Sequence, residues 1–218
     1  MIFRIFDGLL HPAKLRNELA EAEAVSGLPL RVVLAFISSL FLFSLSGFLG
    51  VGSEHLSGKA AVWSPADYEG IKLFFLGGQF LSGLFYALII LYFFGLFFHI
   101  LFEIDFHKIL AVQLIVLVIS LAGKAVSTLM GTLGGIPVSA SPFSLGVIGH
   151  YLTNYEPVLY FLGQISLFQA AAIVFQIYMF RALTQKRTGI ITIWVLVLHV
   201  LFWIIEAILL SINLAKFL

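Results

Sequence analysis

The sequence predicts an all-α integral membrane protein with five transmembrane helices behind an N-terminal amphipathic cytoplasmic segment. Three observations carry this prediction. Of 218 residues, 61% are hydrophobic and 11% are charged, against about 45–50% and about 25% in a typical soluble domain. Mean hydropathy is +1.09. The apolar residues form continuous runs, and about 20 such residues in a helix cross roughly 30 Å of hydrocarbon. So few charges could not cover a water-facing surface. A soluble enzyme, a disordered chain and a nucleic-acid binder are therefore excluded, and the lipid bilayer is the first expected partner. A membrane β-barrel is excluded because the runs do not alternate.

Residues 1–30 are expected to lie in the cytoplasm, and residues 31–218 to form the membrane domain. MIFRIFDGLL gathers Ile2, Phe3, Ile5, Phe6, Leu9 and Leu10 on one broad side, which suits a headgroup boundary. Pro12 then opens a short helix through KLRNELAEAEAV, because a first-turn residue does not need its N–H. This segment reads either as a membrane-surface collar or as a docking helix. Asp7, Glu18, Glu21 and Glu23 precede the first long apolar run, which is unlike a signal peptide.

Five spans follow, at about 31–51, 71–102, 108–131, 158–183 and 189–214. The second, at about 48 Å of helix, is longer than a bilayer requires. Arg4, Lys14, Arg16, Arg31, Lys108, Arg181, Lys186 and Arg187 fall on one side of this topology. Lys59, Lys72 and Lys216 fall on the other, and the loop 132–157 has no Lys or Arg. The bias predicts a cytoplasmic N-terminus and an outside C-terminus. Within that loop, PFSLGVIGHYL forms a helix too short to span.

Ionisable groups inside spans are costly, and each is a functional-site hypothesis. Lys124 shares one face of the third span with Gln113, Ser120 and Ser127. Thr192, His199, Glu206 and Asn213 recur every seven residues in the fifth, and Gln169 and Gln176 do so in the fourth. These stripes are expected to face one another inside the bundle. Lys124 and Glu206 each lie 16 residues from the inner end of their spans, about 24 Å deep, and so are expected to pair. The pair reads either as glue fixing helix register or as part of a conduction path.

A second cluster is His99, Glu103 and His107, spaced by four and four. On a continuous helix they share a side and form a weak zinc candidate. In a turn between spans two and three they are ordinary solvated residues. Gly78 with Ser82, and Ser46 with Gly50, make small-xxx-small pairs that favour close helix contact, within the chain or with another subunit. Cysteine is absent, which removes thiolate chemistry. No nucleotide-binding, nucleophile-elbow or paired-acid motif occurs, so neither a catalytic residue nor a cofactor is expected.

The stretch LLHPAKLRNELAEAE, the turn FEIDFHKILAVQL, SPFSLGVI before the fourth span and FRALTQKR before the fifth together resemble the Yip family of small five-span membrane proteins. Within that family the likeness is to the bacterial YknW-like type. The resemblance implies a non-enzymatic accessory subunit in a bacterial plasma membrane. Such a subunit promotes assembly or function of an ABC exporter, with its permease and MacA-like adaptor, against a toxic peptide. The alternative is a small transporter or channel that uses Lys124, His199 and Glu206.

Overall fold

A computed structural model describes residues 1–53 and 64–211. Helix α1 spans Ile5–Leu10 and α2 spans Pro12–Glu21, with Pro12 in the first turn. Helix α3 is Leu28–Phe48. Helix α4 (Pro65–Leu88) passes through a π-helical turn, Ile89–Phe93, into α5 (Phe94–Phe102). Helix α6 is Phe106–Gly134. After a 3₁₀ turn at Val138–Ala140 come α7 (Gly146–Leu152), α8 (Glu156–Gln164), α9 (Leu167–Leu183) and α10 (Thr188–Ser211).

Four stretches are long and apolar enough to cross a membrane: Leu28–Phe48, Tyr68–Phe102, Phe106–Gly134 and Thr188–Ser211. Their outward faces are apolar, with Phe41, Phe74, Phe85, Ile100 and Leu201 all exposed. Such a surface suits lipid and not water. Asn213 and Lys216, like His55 and Lys59, lie outside the described residues.

The expected continuous fourth span, 158–183, is instead two helices. Ile165 and Ser166 leave the helical region, at φ −76°, ψ 86° and φ −114°, ψ 163°. A short antiparallel bridge holds the break. Leu145 N–H donates to Ile165 O at 2.9 Å, and Leu167 N–H donates to Phe143 O at 2.9 Å. The two backbone bonds replace helical bonds that the break removes. The remaining helix, α9, is about 25 Å long.

Helix α6 is the centre of the bundle, because every residue from 109 to 117 is buried. A helix apolar all round belongs inside. Asp105 starts it, accepting from the backbone N–H groups of His107 at 2.9 Å and Lys108 at 3.3 Å. Such a cap satisfies donors the first turn would leave unpaired. Phe98 packs on Phe102 and on Phe180, with ring centroids 5.5 and 4.9 Å apart, joining α5 to α9.

The N-terminal segment is part of this core. Phe3, Leu15 and Leu19 are buried in one cluster with Ile115 and Phe180, while Ile2, Phe6 and Leu10 stay exposed. The side of MIFRIFDGLL expected at the headgroup boundary is thus divided between the core and the exposed surface. Phe3 N–H bonds Ser26 O, and Ser26 N–H bonds Met1 O. These bonds fasten the segment's two ends together.

Candidate functional site

One end of each of α5, α6, α9 and α10 meets at one level. Thr184 Oγ1 donates to Phe102 O at 3.1 Å, and Lys186 Nζ meets Glu103 Oε1 at 2.8 Å. Depth can be counted from there. Lys124 stands 18 residues beyond Phe106, and Glu206 stands 18 beyond Thr188, so both are about 27 Å up their helices. The break at Ile165–Ser166 is at a similar height, because α9 rises about 25 Å from Leu183. Gly123 confirms the level: a Cβ there would come within 2.9 Å of Phe168.

A polar layer occupies this depth. Tyr86 on α4 accepts from Gln169 Nε2 of α9 at 3.5 Å, and Ser120 on α6 is buried. Gln164 is the last residue of α8, at the edge of the break. The Lys124 ammonium lies 4.8 Å from the centre of the Phe43 ring, and that ring packs on Tyr86 at 5.2 Å. A cation over an aromatic face is attracted by the ring quadrupole.

The expected Lys124–Glu206 pair takes a looser form. No nitrogen–oxygen contact of 4.0 Å or less joins the two charges among the described residues. Lys124 is half-buried and Glu206 is exposed. They stand at the same distance along their two helices.

Nearer the Phe106 end of α6 and the Leu183 end of α9, Gln113 and Gln176 are both fully buried. Gln176 Nε2 donates to Gln113 Oε1 at 3.0 Å, while Gln113 Nε2 and Gln176 Oε1 have no partner. This contact ties α6 to α9. His199 is buried between Phe94 and Trp203, with ring centroids at 5.4 and 6.1 Å. Its Nδ1 donates to Val195 O at 2.9 Å. The buried residues Gln113, Ser120, Gln176 and His199 therefore do face inward, as their spacing predicts, whereas Ser127 and Thr192 are only half-buried.

The His99, Glu103 and His107 cluster does not converge. The continuous helix that its spacing assumed ends at Phe102, and Glu103 turns the chain at φ 57°. His99 Nδ1 donates to Ile104 O at 2.6 Å. Glu103 turns away to Lys186, whose ammonium holds its carboxyl below the usual carboxylate range. His107 lies beside Asp105 at 3.6 Å. Among the described residues, no group of three or more His, Asp or Glu is arranged to hold a metal.

The small residues also divide. A Cβ on Gly78 would meet nothing within 4 Å, and Ser82 is exposed, its hydroxyl bonded back to Gly78 O at 2.8 Å. Ser46 is buried with its hydroxyl unpartnered, and Gly50 ends α3's turn at φ 77°. The close approach of α3 and α4 is made by Gly83, where a Cβ would come within 2.9 Å of Ser39 O. Ser39 Oγ donates to Gly83 O at 2.7 Å, fully buried. Gly83, Ser39 and Tyr86 were not singled out from the sequence. The signal for Tyr86 was present, because a phenol in mid-span needs a polar partner.

No family model, no curated protein and no solved structure matches this chain.

Proposed function

We propose that the protein is a non-enzymatic, five-crossing membrane protein that works by binding other membrane subunits. In this reading α9, extended by α8, makes the crossing that the four long helices do not account for. The N-terminus is cytoplasmic and the C-terminus outside. The exporter permease and adaptor are the proposed partners and a toxic peptide the proposed cargo. These, and the bacterial plasma membrane, come from the Yip-type resemblance. The observation that carries the binding role is the open face of α4 at Gly77, Gly78 and Ser82. It packs against nothing in the described chain, and small residues let a partner helix approach closely.

The test is affinity purification in mild detergent with mass spectrometry of co-purifying subunits. Gly78→Leu meets open space within the chain, so it leaves the fold intact and removes the partner. His99→Gln, Glu103→Gln and His107→Gln leave both co-purification and resistance unchanged. Unchanged co-purification with Gly78→Leu and Ser82→Leu would refute this face as the partner surface.

One observation favours a second reading, a small membrane carrier. A broken helix brings non-helical backbone to the depth of two ionisable residues, an arrangement that carriers use for polar cargo.

A further inference from the structure

The groove between α1 and α2 has no part in the readings above. It measures about 470 Å³, within the roughly 300–1,000 Å³ of small-ligand sites. Ile2, Arg4 and Asp7 line it from the α1 side, and Lys14, Glu18 and Glu21 line it from α2.

This segment lies along the flank of the bundle, with α1 against α6 and α2 against α9. A Cβ on Gly8 would come within 2.8 Å of Ile115 Cδ1. Lys108 Nζ donates to Ala20 O at 3.4 Å, and the Arg16 guanidinium lies 4.9 Å from the centre of the Tyr178 ring. Lys108 and Ile115 both belong to the first turns of α6, beside the level of Glu103 and Lys186. A charged, amphipathic segment at the end of apolar spans occupies the headgroup boundary. Its exposed residues Ile2, Phe6 and Leu10, four apart, continue the apolar outward surface of the spans. Because Ile2 also lines the groove, the groove opens onto that surface.

The charges in the groove select its occupant. Lys14 meets Asp7 at 2.8 Å and Glu18 at 3.9 Å. Arg4 and Glu21 are exposed, and among the described residues neither side chain has an ion-pair or hydrogen-bond partner. A free guanidinium and a free carboxylate thus line one groove from its two sides. Two cationic side chains beside three carboxylates do not make an anionic-lipid site, which needs a basic cluster. A guanidinium donates two parallel bonds to a phosphate, and a primary ammonium has three N–H donors for carboxylates.

We propose that the α1–α2 groove binds the headgroup of a phospholipid that carries both groups, phosphatidylethanolamine. Arg4 holds the phosphate, Glu18 and Glu21 hold the ammonium, and the acyl chains run beside Ile2, Phe6 and Leu10. Phosphatidylcholine has the same charges but no N–H to donate, and phosphatidylglycerol has no cation for the carboxylates. The site stands independently of the proposed exporter partners.

In the test, full-length protein in mild detergent is titrated with each of these three lipids, matched in acyl chain, and bound lipid is counted by native mass spectrometry. Phosphatidylethanolamine should bind about tenfold more tightly than the other two, as one charge-assisted hydrogen bond contributes. Arg4→Gln should remove that margin, and so should Glu18→Gln combined with Glu21→Gln. Glu23→Gln, exposed and outside the groove, should leave it. Glycerophosphoethanolamine, the headgroup without its chains, should not displace the lipid at equal concentration. Equal binding of the three lipids, or tightest binding of phosphatidylglycerol, would overturn the proposal. So would a phosphatidylethanolamine margin that survives the Arg4 and Glu18/Glu21 substitutions. Displacement by glycerophosphoethanolamine would make the ligand a soluble one and overturn the lipid assignment. Each of these results leaves the partner face at Gly78 and Ser82, which is read by co-purification, where it stood.

Discussion

Gly83→Ala is expected to weaken the fold, whereas Gly78→Ala strengthens it, although both are glycines of one apolar helix. At Gly83 the added Cβ would stand 2.9 Å from Ser39 O, 3.0 Å from Phe43 Cβ and 3.1 Å from Leu40 Cα. Two of those atoms are backbone, so α3 and α4 must part. Overpacking of this kind costs about 1–3 kcal/mol. Parting the helices also weakens the buried Ser39–Gly83 hydrogen bond, by about 1 kcal/mol. Alanine's better helix propensity returns about 1 kcal/mol. These last two effects cancel, which leaves a net loss of about 1–3 kcal/mol. At Gly78 the new methyl meets nothing within 4 Å, so only the propensity gain of about 1 kcal/mol remains. The two variants should therefore differ by about 2–4 kcal/mol. Reversible unfolding in mixed micelles, followed by tryptophan fluorescence, reads that difference. Equal stabilities, or a more stable Gly83→Ala, would show that α3 and α4 do not meet along Ser39, Phe43 and Gly83.

Three further outcomes are expected. Gln113→Leu strands the buried Gln176 amide, at a cost of about 1–3 kcal/mol. Adding Gln176→Leu should restore most of that stability in the same unfolding assay, because an apolar pair leaves nothing unpaired. Lys124→Met and Glu206→Gln should show a coupling energy of about 1 kcal/mol or less in a double-mutant cycle. A contact pair would instead lose about 3–5 kcal/mol on removal of one partner, and a coupling of that size would close the gap between them. The Glu103–Lys186 pair is exposed and joins the turn after α5 to the turn after α9. Because Lys186 lowers the folded carboxyl's pKa, its support is present above the unfolded value and is lost as pH falls through the folded one. Lys186→Gln should therefore lower stability at pH 7, and the difference should vanish in acid and shrink in high salt.

The four long helices were legible because a run of about 20 apolar residues has few other structural solutions. The matched positions of Lys124 and Glu206 along their helices were legible too, because helical rise is constant. Their separation was not, since it depends on how α9 packs against both α6 and α10. The break at Ile165–Ser166 was hidden inside an apolar run with no proline. Its support comes from Phe143 and Leu145, about twenty residues upstream in sequence. A local signal did exist: Ser166 and Gln169 form a Ser-x-x-Gln helix start, and Ser166 Oγ accepts from Gln169 N–H at 3.3 Å. Gly78 was preferred to Gly83 because the small-xxx-small spacing does not say which side of a helix meets its neighbour. Five residues turn a helix by about 500°, so the two glycines point about 140° apart. The zinc candidate failed for a related reason. The i, i+4 spacing of His99, Glu103 and His107 puts them together only on an unbroken helix, and the turn at Glu103 ends it.

The five-crossing arrangement is tested most directly by reporter fusions placed after Pro137, Arg187 and Leu218, each assayed with a reporter active only in the cytoplasm. If α9 crosses the membrane, Pro137 and Arg187 lie on opposite sides, and α10 returns the chain to the outside. The fusion after Arg187 alone should give signal. Signal after both Pro137 and Arg187 would contradict the account, because the broken helix would then fail to cross. Signal after Pro137 and Leu218 but not Arg187 would reverse the orientation.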